Sequence, residues 1–123
     1  MSVSYELGKQ GEQQAADFLR EKGYSILDLN WRYQHKEIDI VAEYGNELHF
    51  VEVKTRTSAV WQDINEIVGA TKQKNMIAAA DAYIQQNDIE KDVVFDIVYI
   101  VQNGDKEKIE LIRDAFHSYD SEI

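Results

Sequence analysis

The stretch Glu37-Ile38-Asp39-Ile40-Val41-Ala42-Glu43-Tyr44-Gly45-Asn46-Glu47-Leu48-His49-Phe50-Val51-Glu52-Val53-Lys54 decides the fold. Two β-rich runs flank Gly45-Asn46, whose residues tolerate the positive φ of a tight hairpin. With a two-residue loop Tyr44 pairs with Glu47, Asp39 falls opposite Glu52, and Glu37 falls opposite Lys54. A four-residue loop keeps this register, whereas a three-residue loop puts Asp39 opposite Val51. In the first register two carboxylates face each other with Cβ atoms about 4.5–5.5 Å apart, where like charges repel. Their sequence neighbours are Ile38, Ile40, Val51 and Val53, so water solvates the pair poorly. A proton held by one carboxylate, or a divalent cation between the two, removes the conflict. Lys54 follows Glu52 on the same strand face, roughly 7 Å along the chain. Two carboxylates for an ion and an ammonium beside developing negative charge form the layout of a metal-assisted hydrolase. The same residues also read as an ordinary cross-strand ion pair between Glu37 and Lys54.

Outward from the hairpin, residues 5–22 carry a helical stripe of Leu7, Gly11, Ala15, Phe18 and Leu19, with Ser4 as N-cap and Gly23 as the stop. Residues 24–29 form a short strand. Asp63 and Glu66 have capping-box spacing for a short helix that Gly69 breaks. Residues 71–86 form a second long helix with Met76, Ile77, Ala80, Tyr83 and Ile84 inward. Residues 93–101 are almost continuously apolar, as in a strand covered on both faces. Asn103-Gly104 turns into a weaker edge strand at residues 108–112. The order α-β-β-β-α-β, with a terminal strand, predicts an α/β fold with a mixed central sheet flanked by helices.

The chain has 123 residues, the length of one domain, with 44% hydrophobic and 29% charged residues. Absence of cysteine excludes disulfides, thiolate metal sites and cysteine nucleophiles. No run approaches the roughly 18 apolar residues of a membrane span, and no charged-then-apolar leader is present, so a cytoplasmic location is expected. The net charge is −10, and residues 61–123 hold six basic against thirteen acidic side chains. Such a balance opposes tight non-specific binding to nucleic acid, which depends on phosphate neutralisation.

Three further residues border the apolar faces. Glu12 flanks the stripe of the first helix, as a carboxylate with a partner or as a snorkelling surface side chain. Lys72 borders the inward face of the second helix and has the same two readings. Asp96, between Phe95 and Ile97, is expected to cap or bridge inside the structure.

In order and spacing these segments resemble the YraN-like uncharacterised bacterial proteins, which have a restriction-endonuclease-like, PD-(D/E)XK-type fold related to Holliday-junction resolvases. The residues that carry the likeness are Gly8-Lys9-Gln10-Gly11-Glu12 with Ala15, Gly23-Tyr24, Asn30-Trp31-Arg32, Glu37 to Ala42, Phe50 to Arg56, Lys72, Ala79 with Tyr83, and Phe95-Asp96. One departure is visible: the family usually has Gly before the Glu that opens the second strand, and here it is Lys36 preceded by His35. The resemblance covers most of the chain and implies one endonuclease-like domain over residues 1–123, with flexible ends near 1–4 and 118–123.

It also implies roles. Asp39 and Glu52 would be metal ligands with the Val53 carbonyl as a third, for Mg2+ or Mn2+, which an oxygen-only donor set favours. Lys54 would be the catalytic lysine and Glu12 the helix acid completing the cluster. Lys72 would contact phosphate or stabilise charge, and Arg32 and Arg56 would contact phosphate. The expected activity is hydrolysis of DNA, branched or bent, with weak binding at physiological salt. Junction resolvases act as dimers, so a homodimer is expected with it. The competing expectation is a non-catalytic adaptor that keeps the acidic cluster as a structural cation site; the charge of −10 suits a protein partner better than DNA.

Overall fold

A computed structural model describes residues 3–57 and 64–118. Helix α1 (Val3–Glu21) leads into β1 (Ser25–Tyr33), β2 (Lys36–Tyr44) and β3 (Glu47–Arg56). A short α2 (Ile64–Ile67) and α3 (Ala70–Asn87) follow, then β4 (Asp92–Asn103) and β5 (Lys106–Phe116). The five strands form one mixed sheet in the order β1-β2-β3-β4-β5. Only β3 and β4 pair in parallel. Parallel neighbours need a crossover, and the segment carrying α2 and α3 supplies it. The α/β class and the mixed sheet agree with the sequence. Helix α1 opens at Val3, ahead of the Ser4 cap, and β1 and β5 run longer than their apolar cores suggested. The capping role assigned to Asp63 lies outside the described residues, as do residues 1–2 and 119–123. Among the described residues no helix is long and apolar enough to cross a membrane.

Each face of the sheet carries one long helix. Ala15, Ala16 and Leu19 of α1 pack on Ile40, Ala42, Val51, Val98 and Ile100. On the other face Met76, Ala79, Ala80 and Tyr83 of α3 pack on Ile38, Val41, Leu48, Phe50 and Ile97. Covering both faces is why β3 and β4 read as apolar runs and not as an alternation. After α1, Gly23 (φ 97°) takes the left-handed position, donating to Arg20 O while the Tyr24 amide donates to Leu19 O. This paired closure satisfies the last carbonyls and turns the chain into β1.

The Gly45-Asn46 hairpin has the two-residue register: Tyr44 pairs with Glu47 and the ladder runs back to Ile40 opposite Val51. Within β2 the alternation then breaks. Ile40 faces α1, yet Ile38 faces α3, as does Val41. The change of phase falls at Asp39.

Asp96 has the bridging role expected of it. It is fully buried beside His49, also fully buried, with Oδ2 at 2.6 Å from Nδ1. Its Oδ1 accepts the Asp114 amide at 2.9 Å, where β5 slips register and Asp114 takes φ 53°. The far ring nitrogen of His49 reaches Glu47 Oε1 at 3.1 Å, and Arg113 reaches the same oxygen at 3.4 Å. One polar chain therefore ties β3, β4 and β5 together. Asp96→Ala would strand the imidazole and the Asp114 amide, a loss of about 3–5 kcal/mol for one partner of a buried pair. Urea unfolding checks this, with a smaller loss expected for Asp96→Asn.

Candidate active site

The β2–β3 ladder ends at Ile40–Val51, and beyond that pair the two strands separate. Into this fork Asp39 turns its carboxylate, whose Oδ2 accepts the Val53 amide at 2.9 Å. A side chain thus takes the place of a backbone acceptor. In an extended strand the N–H and C=O of one residue point to the same edge, so the Val53 carbonyl also faces the fork. The β1 residue across from Asp39 is Asn30, with φ 52°, a conformation asparagine adopts more readily than most residues. Its left-handed turn accompanies the change of phase in β2.

Glu52 is only 3% exposed. Burial, a hydrogen bond with the Asp39 carboxyl and the Asp39 charge push its pKa up from the ordinary 4.5 to about 8, against the pull of Lys72 and Lys54. Lys72 Nζ lies 3.6 Å and Lys54 Nζ 3.9 Å from Glu52 Oε2. The raised pKa favours a proton on Glu52, one of the two escapes from like-charge repulsion; a dication in the fork is the other.

Glu12 comes from the opposite face. At Gly11, helix α1 touches β3 so closely that an added Cβ would stand 2.2 Å from Thr55 Oγ1, with Thr55 Cβ and Ile100 Cδ1 next at 3.5 and 3.6 Å. This seating brings the following residue, Glu12, to the fork. Glu12, Glu37 and Asp39 offer carboxylate oxygens all within 4.8 Å of one another. The Glu12 pKa is raised by burial, then by Asp39, and further by Glu37, while hydrogen bonding to Asn30 and the Lys9 charge lower it. Asp39 thus belongs to two oxygen-donor groups, one with Glu12 and Glu37 and one with Glu52 beside the Val53 backbone, and oxygen donors of this kind suit a hard dication.

Of the residues singled out from sequence, Asp39, Glu52, Val53, Lys54, Glu12 and Lys72 converge here. Arg32 lies on β1 with a side chain 75% exposed, 3.5 Å from Glu37. Arg56 ends β3, its guanidinium donating to the Thr55 carbonyl at 3.0 Å. The Glu37–Lys54 ion pair does not form: the ladder has ended, Glu37 meets Arg32, its partner across β1, and Lys54 meets Glu52. Glu37 as a member of the acidic cluster and Asn30 as its hydrogen-bonding neighbour were not singled out. An asparagine between apolar strand residues was the available signal for the second.

The fold and fork define a mixed α/β domain with clustered carboxylates and lysines at the opening of a β-hairpin. Residues 11–100 match the family described as Uncharacterised protein family UPF0102. A UPF0102 protein of Christiangramia forsetii is 40% identical over 116 residues, covering 94% of this chain and 98% of its own. Those of Phocaeicola vulgatus and Flavobacterium johnsoniae are each 42% identical and cover 95% and 97% of this chain, and 97% and 100% of their own. The chain belongs to this YraN-like family.

Two outcomes follow from the fork. Because its folded pKa is raised, Glu52 stabilises the metal-free protein fully below about pH 4.5; that contribution declines as pH rises and is gone above about pH 8. Urea midpoints across this interval should fall with pH, and the slope should flatten in Glu52→Gln. Gly11→Ala should lower stability by about 1–3 kcal/mol through overpacking against Thr55, measured by thermal melting.

Proposed function

We propose that this chain is a metal-dependent phosphodiester hydrolase with a restriction-endonuclease-like, PD-(D/E)XK-type core, acting on branched or bent DNA in the cytoplasm. The observation that carries the reading is the half-buried Asp39 carboxylate set beside buried Glu52, with two ammonium groups within 4 Å of Glu52. A dication exchanging for the proton on Glu52 satisfies both carboxylates at once. Asp39, Glu52 and the Val53 carbonyl would hold Mg2+ or Mn2+, with Glu12 and Glu37 completing the negative wall. The ion would supply an activated water and Lewis acidity toward a phosphoryl oxygen. Lys54, half-exposed beside Glu52, faces where a scissile phosphate would lie and stabilises the charge that builds on it. Lys72 adds a second cation from α3, and Arg32 and Arg56 orient flanking phosphates. Asp39, Glu52, Val53 and Lys54 all sit at the point where the β2–β3 ladder ends, so they would present their groups to a substrate from one fixed frame.

A net charge of −10 keeps binding weak at physiological salt and steeply salt-dependent. A dimer, as in the resolvases, would present two forks to the arms of a junction. That same charge favours the second reading, a protein-binding adaptor with a structural cation site. Under the hydrolase reading, Mn2+ and a four-way junction give cleavage products, and Asp39→Asn, Glu52→Gln and Lys54→Ala each reduce the rate by at least about 100-fold while remaining folded by circular dichroism. Should no DNA form be cut with any divalent metal while those metals still raise the melting temperature, the adaptor reading replaces it.

A further inference from the structure

The sheet face that carries α3 holds a pair of aromatic rings that the hydrolase reading leaves unused. Trp31 and Tyr33 lie two residues apart on β1, the edge strand beyond β2. Their planes are parallel within 4° and their centroids 6.5 Å apart. Both rings are only partly buried, because α3 lies mainly over β2 and leaves the edge strand less covered. Their orientation is nevertheless fixed. Tyr83 meets the Trp31 ring edge-to-face at 5.1 Å and donates its hydroxyl to Asp28 Oδ2 at 2.8 Å.

Cations share this face. Lys36 stands opposite Tyr33 in the β1–β2 ladder, and directly opposed residues project to the same side. Glu52, with Lys54 and Lys72 on its carboxylate, projects to that side as well, two residues after Phe50 of the α3 core. Arg32 and Glu37 project to the opposite side with Glu12. A strand-borne pair of half-covered rings with one ammonium group beside it and two more on the same face is the kind of arrangement with which sheets bind single-stranded nucleic acid: bases stack on the rings and phosphates meet the cations. Stacking is also indifferent to the chain's net negative charge, which weakens every phosphate contact.

We propose that Trp31 and Tyr33 form a stacking platform for an unpaired nucleobase, so that this site takes polynucleotides with an unpaired or splayed segment in preference to continuous duplex. The inference rests on the nucleic-acid reading above and deepens it. The probe is a (dT) oligomer against an oligomer of the same length and charge built from abasic units, both in EDTA. The protein is a Trp61→Phe variant, in which Trp31 is the remaining tryptophan. The expected results are quenching of Trp31 emission by the (dT) oligomer alone, and about 10-fold weaker binding of the abasic one. Trp31→Leu and Tyr33→Leu should bring (dT) affinity down to the abasic level, and Trp31→Phe should retain it. Equal affinity for the two oligomers, no measurable (dT) binding, or saturation without a change in emission would overturn the platform. Junction cleavage with Mn2+ is read separately: cutting without quenching removes this inference and leaves the hydrolase, and quenching without cutting does the reverse.

Discussion

The site depends on one electrostatic conflict. Asp39 and Glu52 are brought together by a hairpin register in a place where burial of Glu52 leaves two negative charges poorly solvated. The chain cannot relieve this by turning the side chains away, because Asp39 also serves as acceptor for the Val53 amide. Removing that carboxylate from the fork would leave a backbone donor unmatched. Nor do the two lysines neutralise the pair, since the Glu52 pKa remains raised despite both. The arrangement is held in a form that favours a proton on Glu52.

The rest of the fold holds that conflict in place. The parallel β3–β4 pairing continues past the point where β2 leaves, so β3 is supported along one edge while the other opens. The helices on the two faces contribute different chemistry: α1 adds a carboxyl group, α3 an ammonium group. The His49–Asp96 pair lies farther along the sheet and fastens β5, which in turn supports β4. Rigidity is concentrated around the point where β2 and β3 part.

Much of this was legible in the sequence, for identifiable reasons. The Gly45-Asn46 turn specified the register, and register alone placed Asp39 near Glu52. Helix stripes gave the two layers, and Asp96 in an apolar strand announced a buried partner without identifying His49. What escaped was the distortion. Ideal alternation put Glu37 on the same face as Lys54, but the left-handed Asn30 and the change of phase at Asp39 sent Glu37 to the other side, toward Arg32 and Glu12. Strand patterning assumes a regular pleat, and the fork is where the pleat fails. The lengths of β1 and β5 were underestimated because edge strands need not be apolar.

The contact of Gly11 with Thr55 has a consequence for how this chain can vary. Here only the Thr55 side chain stands between helix and strand, so a change of volume at either position bears directly on the other. A bulkier residue at one demands a smaller one at the other, and an uncompensated change would push α1 away from β3 and carry Glu12 with it. The helix therefore works as a gauge block, with its thinnest point setting the reach of the acid beside it.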